Sequence, residues 1–413
     1  MIASALSVRA LLSAIFILMA GSGFLSTLIA VRLESAGVPS LIIGLAATSY
    51  FTGLTLGSLR VEPLIARIGH IRAFAAFVTI FSASSLTYAI IEQPTVWVVL
   101  RFIDGFAMAG VFVCLESWLN RQATPANRST VLASYMIALY CGQAAGQFLL
   151  NLGENAPDLP FMISAVLLSV ALLPVLLTRM EQPQVEAFTP FSIRKLYTAS
   201  PLGIVGTLAT GAMLGAFYAM GAVYVQRIGM DLSQVALFTS FLIAGGVALQ
   251  YPLGRLSDRF DRRRVIIACF AIAAGVSAAI AALKLPTVGM IAMGSIFGGF
   301  AFALYPLCVA HSNDHLEEEE RVGASSGLVL TYSAGAMAGP MIGSSAMSAF
   351  GPAGLFAMIG VLAAGAAIFG IWRTVVRSAV PASEQQVFQS LPRTTPMAAV
   401  LETEDSIEGW KSD

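Results

Sequence analysis

Three ionisable side chains, Arg101, Asp104 and Glu116, stand inside one long apolar stretch, "RFIDGFAMAGVFVCLESW". Such groups are costly in hydrocarbon and persist there only beside a partner, a cavity or water. Arg101 and Asp104 are three residues apart, so a helix sets them on one face within ion-pairing reach. The pair supports two chemistries. Asp104 can take and release a proton, with the arginine lowering its proton affinity and the loss of solvent raising it. Alternatively the pair is static and fixes the helix in place. Glu116 lies fifteen residues past Arg101, ~22 Å along a helix axis, too far to join them. It shares its level with Arg67, Arg72 and Arg121, where it is either half of a gating salt bridge or a solvated helix-end acid.

These groups need a frame, and the composition says which. The chain has 413 residues, of which 57% are hydrophobic and 11% charged, about half the charged share of soluble domains. Twelve apolar segments lie near 10–31, 40–59, 73–91, 95–118, 129–151, 158–178, 201–225, 233–253, 265–283, 286–309, 323–347 and 351–374. Many reach the ~20 residues that a helix needs to cross a bilayer. The expectation is an all-α membrane protein: a bundle over 1–178, a linker over 179–200, a second bundle over 201–374, and a tail over 375–413. The tail is rich in Pro, Ser, Thr and acids and reads as disordered. The first segment is too long for a signal peptide and is read as a retained helix. Cys114, Cys141, Cys269 and Cys308 all fall in apolar runs without a CxxC pair, as small buried side chains do.

Basic residues fix an orientation. With the N-terminus inside, 19 of the 23 Lys and Arg fall in inside segments, three outside, and Arg101 within a span. Cytoplasmic loops carry such an excess, so both termini are expected in the cytoplasm. The halves also repeat: "YMIALYCGQAAGQ" from Tyr135 matches "YSAGAMAGPMIGS" from Tyr332, and "TSYF" from Thr48 matches "TSFL" from Thr239. Helices five and eleven, and two and eight, are therefore equivalents, in two pseudo-symmetric six-helix bundles.

"GRLSDRFDRRR" from Gly254 resembles the loop signature of the major facilitator superfamily: Gly254, Leu256, Asp258, Arg259 and Arg262 to Arg264 match, while Asp261 replaces a glycine. An acid at a helix end beside bases can latch neighbouring helices. In the first-half loop "EPLIARIGHIRAF", Arg67, Gly69 and Arg72 survive but Ala66 stands where the acid belongs. "RFIDG" resembles the superfamily's fourth-helix motif, and "GAMAGPMIG", with Gly335, Gly339, Pro340 and Gly343, resembles its glycine–proline packing motif. "SYFTG", "VCLESW" and "LYP" are similar to the YcaD-like bacterial branch. The resemblance implies Arg67 as the partner of Glu116, and a gate formed with Gly254, Asp258, Arg259 and Arg262. It further implies a monomeric transporter of the bacterial inner membrane. Such a protein moves a small organic solute by alternating access, with protons as coupling ion and export favoured over uptake.

Eight of the ten tyrosines fall on the helices that line facilitator cavities. Tyr135, Tyr140, Tyr218 and Tyr332 read as the deep ones, with Gln143 and Gln147 on the same helix as the first two. Amphipathic rings and amides suit a neutral or weakly charged organic molecule. His70, His311 and His315 are placed in loops at the basic side, where a solvated charge run is expected rather than a metal site. Nothing matches GxxxxGK[ST], so nucleotide-driven transport is not expected. No cofactor, metal or nucleic-acid partner is called for. An enzyme embedded in the membrane would need a histidine, serine or paired-acid cluster at one face, and none stands out.

Overall fold

The computed structural model describes residues 2–124, 127–178, 183, 192–376, 380–381, 385–386, 388–389 and 392–393. The expected linker over 179–200 therefore lies mostly outside the described residues, as does most of the tail over 375–413. Every regular element described is helical, which satisfies backbone groups within each segment where lipid cannot. The first expected span is two helices, α1 (Ile2–Ser22) and α2 (Leu25–Ser35), interrupted at Gly23 and Phe24. They are followed by α3 (Ser40–Arg60), α4 (Glu62–Ile68), α5 (His70–Ile90), α6 (Pro94–Gln122) and α7 (Arg128–Gln147). A 3-10 turn over Phe148–Gly153 leads to α8 (Leu159–Leu176). The second half holds α9 (Ile193–Ala199), α10 (Pro201–Arg227), α11 (Leu232–Arg259), α12 (Arg262–Ala282), α13 (Thr287–Asn313), α14 (Glu318–Phe350) and α15 (Gly354–Val376).

Among the described residues, ten helices are long and apolar enough to cross a membrane, with α1 and α2 forming one of them. The helix starts are chemically marked. Pro94 and Pro201 sit at first helical positions, where the missing N–H loses no bond. Asp231 and Gln234 form a capping box at the start of α11. Gly69 joins α4 to α5 with φ +84°, a backbone state a side chain would strain. Val166, Val361 and Ile368 point outward, each at least 60% exposed, as a lipid-facing belt requires.

The two halves pair their helices by one scheme. In the first half α3 packs on α6, α1 on α7 and α5 on α8; in the second, α11 packs on α13, α10 on α14 and α12 on α15. Between the halves, α14 meets α3, α11 meets α7, and α10 meets α2. The glycine–proline motif makes the α10–α14 joint close. A Cβ on Gly335 or Gly339 would overlap backbone of Leu208 or Ala212 on α10, and one on Gly343 would crowd Ala216. The carbonyl of Pro340 lies against Gly44 of α3, so the same segment of α14 touches both halves.

Candidate functional site

Arg101 and Asp104 face inward from α6, 3% and 0% exposed. Arg101 Nη1 stands 3.7 Å from Asp104 Oδ2, so the expected pair is present. The geometry adds partners that spacing alone does not show. Tyr88 OH, on α5, donates to Asp104 Oδ2 at 2.6 Å. Arg101 Nη2 donates to Ser26 Oγ on α2 at 2.7 Å, and its guanidinium lies 4.0 Å from the centre of the Tyr50 ring. Three elements thus converge on one pair, and a cation over a ring face is attracted by its quadrupole. The carboxylate holds one bonded donor and one opposite charge, an arrangement that can keep it ionised or release it to a proton.

Ser26 and Tyr50 also form the wall of a cavity between the halves. Across it stand Tyr140 and Gln143 of α7, Tyr218 of α10 and Tyr332 of α14. Four of the five residues expected in the cavity are therefore there. The fifth, Tyr135, is not: it turns away and donates to Glu116 Oε1 at 3.0 Å. Tyr50 of α3, whose backbone carbonyl lies against Gly105 of α6, lines the cavity instead. The free volume is about 140 Å³, below the about 300 Å³ of a typical small-molecule site. Part of the space is filled by Pro392 and Arg393 of the tail.

The two ends of the cavity differ. At the end away from the arginine-rich loops, Arg227 at the end of α10 grips Glu34 at the end of α2, with Nε and Nη2 donating at 2.7 and 2.8 Å. Arg227 also donates to Ser40 at 2.8 Å, and Gln226 to Ser35 at 3.0 Å. Thr48 donates to the Met337 carbonyl at 3.0 Å, closing α3 on α14. This end is sealed between the halves.

At the basic end, Arg262 is the hub. It binds both oxygens of Asp314 at 2.7 and 2.6 Å and Asp258 Oδ1 at 3.0 Å, tying α11, α12 and the end of α13 together. Asp258 and Arg262, both expected in the latch, are in contact, and Asp314 is a further partner. Burial pushes the Asp314 carboxyl above its ordinary range, against the pull of Arg262. Asp261, in place of the usual glycine, caps α12 by accepting from Arg263 N at 3.0 Å. Burial would raise its carboxyl, yet the bonds and charge of Arg263 hold it below the usual range. Arg259 is exposed and, among the described residues, joins no ion pair.

Several expectations need correction. Glu116 is fully buried rather than a solvated helix-end acid; Arg67 is exposed on α4, and the two are not paired in this conformation. Equal depth along a helix does not fix which way a side chain faces. His70 and His311 are not in loops: they lie in the first turn of α5 and the last turn of α13, both buried. Of the tail, the described residues contact the bundle. Gln386 N donates to Asp314 at 2.9 Å and Phe388 N to Asp258 at 2.9 Å. The Phe388 ring lies where a Cβ on Gly254 would be. The Glu34–Arg227 bridge escaped the sequence reading, although the two residues end the first helices of the two halves with opposite charge.

The sequence profile of the Major Facilitator Superfamily matches residues 11–246 and again 203–411. The MFS-type transporter YcaD of Salmonella enteritidis, itself uncharacterised, is 31% identical over 357 residues, covering 85% of this chain and 92% of its own. Among solved structures, the nucleoside transporter NupG superposes with a TM-score of 0.71 at 14% identity, over 90% of this chain and 98% of its own. A bacterial homologue of the human lysosomal transporter Spinster, inward-facing and occupied, gives 0.73 at 14% identity, over 92% and 97%.

Proposed function

We infer the function from one premise: the chain belongs to the Major Facilitator Superfamily, and it is a multi-pass membrane protein of secondary transport. On that footing it is a twelve-helix carrier of a small organic solute, with α7 and α14 as the fifth and eleventh spans. The observation that carries this is the cavity of tyrosines and a glutamine between the halves, sealed at one end by Glu34 and Arg227. A site between two repeats that closes at one end at a time is what alternating access needs.

The arginine-rich end is cytoplasmic in this reading, because 19 of 23 basic residues fall on that side. Both termini then face the cytoplasm of a bacterial inner membrane, and the conformation is closed to the outside. The carrier works as a monomer. The Arg101–Asp104 pair couples transport to protons: it stands behind the cavity wall, touching it through Ser26 and Tyr50. Proton-coupled export is the direction the family resemblance favours. The expected gate from Glu116 to Arg67 would belong to the opposite, cytoplasm-closed state.

Liposomes loaded with a pH-sensitive dye test this. A solute that drives proton flux through the unaltered chain should drive none through Asp104→Asn, while the solute itself still binds. Normal pH dependence in Asp104→Asn would make the pair a static strut and move coupling elsewhere.

A further inference from the structure

The residue that fills the cavity is the chain's own Arg393, and its surroundings are specific. The guanidinium carbon lies 4.5 Å from the centre of the Phe302 ring. It is 5.7 Å from Tyr332, 5.9 Å from Tyr140 and 6.0 Å from Tyr218. Its Nη2 donates to Tyr218 OH at 3.3 Å. All four rings fall within the about 6 Å over which a cation is drawn to an aromatic face. They come from α7 in one half and from α10, α13 and α14 in the other. Among the described residues, no carboxylate lines this space, and no second base does. The attraction therefore comes from ring faces and phenol oxygens, a setting that favours a soft, weakly hydrated cation such as guanidinium over a compact one.

The tail is held at several points on its way in. Arg262 donates to the Gln386 carbonyl at 2.6 Å, and Asp314 and Asp258 accept from the backbone N–H groups of Gln386 and Phe388. Phe388 and Gln389 then pass between α7 and α11, beside Met136, Tyr140 and Gln250. The basic-end latch thus grips the tail's backbone, and the gap between the halves admits its side chains.

We propose that the four-ring cage is a recognition site for organic cations bearing a guanidinium or similar planar charged group, and that Arg393 occupies it as a pseudo-substrate competing with them. The sequence pointed to a neutral or weakly charged solute; the docked guanidinium redirects that to a cation. The proposal rests on the transport reading only for the cage being a substrate site; the occupancy of the cage by the tail stands without it.

The test uses the full chain purified in detergent, with phenylguanidinium as probe and phenylurea as its neutral counterpart of the same shape. Arg393→Ala should bind phenylguanidinium about tenfold more tightly than the unaltered chain does, and about tenfold more tightly than it binds phenylurea. In that background Tyr332→Phe should keep the preference, and Tyr218→Leu with Tyr332→Leu should lose it. Each variant is accepted only if it elutes as a single species. Equal affinity for the two probes in Arg393→Ala would overturn the cage as a cation site. Unchanged phenylguanidinium affinity on removing Arg393 would overturn the competition. Flux in liposomes answers the transport reading separately: flux without guanidinium preference sinks this proposal alone, and preference without flux sinks the transport reading alone.

Discussion

The helix pairs α3–α6 and α11–α13 are built on matching contacts and filled with opposite chemistry. Gly53 and Gly105 lie against the carbonyls of Phe102 and Tyr50, as Gly245 and Gly298 lie against those of Ser295 and Leu242. In that register Gly294 is the counterpart of Arg101 and Phe297 the counterpart of Asp104. In the first half the space holds a guanidinium, a carboxylate and the Tyr88 phenol. In the second, the Phe238 ring covers Gly294, and Phe297 packs against Phe217 and Phe356 at 6.2 and 5.8 Å between ring centres. The fold needs the glycine contacts and little else at these positions. Buried charge in α6 is therefore not a requirement of the architecture, since the sister pair does without it. The loops invert the pattern: the complete latch of Asp258, Arg262 and Asp314 is in the second half, and its counterpart in the first has Ala66 and an exposed Arg67.

The largest effect should come from breaking the buried pair. Arg101→Leu leaves Asp104 without its counter-charge and should lower stability by about 3–5 kcal/mol, with transport lost. Unfolding of the purified variant against denaturant or heat reads the first, liposome flux the second. Arg101→Leu with Asp104→Leu should recover much of the stability and none of the transport. Restored flux in the double variant would make the pair structural. Phe297→Leu, at the equivalent place, should lower stability by about 1–2 kcal/mol and leave transport running.

The latch gives the next contrast. Arg262→Met strands Asp314, which is 2% exposed, and should lower stability by about 3 kcal/mol. Arg67→Gln, in the first-half loop, should stay within about 0.5 kcal/mol of the unaltered chain. Similar losses from both would mean that the first-half loop carries a latch after all. The glycine joints should behave alike: Gly339→Ala and Gly142→Ala each push a methyl into facing backbone and should each lower stability by about 1–3 kcal/mol. A loss in only one would break the equivalence of the halves. Smallest is the sealed end. Glu34→Arg or Arg227→Glu should each lower stability by about 1 kcal/mol or less, because the pair is partly exposed, and the double exchange should restore part of it.

What the sequence disclosed follows a physical divide. Apolar run lengths, the basic-residue asymmetry and the Tyr135–Tyr332 repeat are properties of single segments, and they led to the fold. The Arg101–Asp104 pair was readable because i and i+3 share a helix face. Its other partners, Tyr88, Ser26 and Tyr50, come from three further helices, and no spacing along α6 points to them. Glu116 and Arg67 share a depth, but depth does not give side-chain direction around a helix, and in this conformation Glu116 faces Tyr135. Asp314 lay in an acidic run that reads as solvated, and only the end of α13 lying beside Arg262 gives it a role. Arg393 was hidden by composition: a polar, proline-rich tail reports nothing about the aromatic cavity that receives one of its side chains.

In the proposed cycle, solute crosses by opening and closing the end held by Glu34 and Arg227. Glu34→Cys with Arg227→Cys, made with the exposed Cys141 replaced by Ser, can be oxidised to lock that end shut. With the solute giving the largest flux through the unaltered chain, flux should fall to background once the bond forms. It should return on reduction. Undiminished flux through a fully cross-linked population would contradict alternating access at this gate.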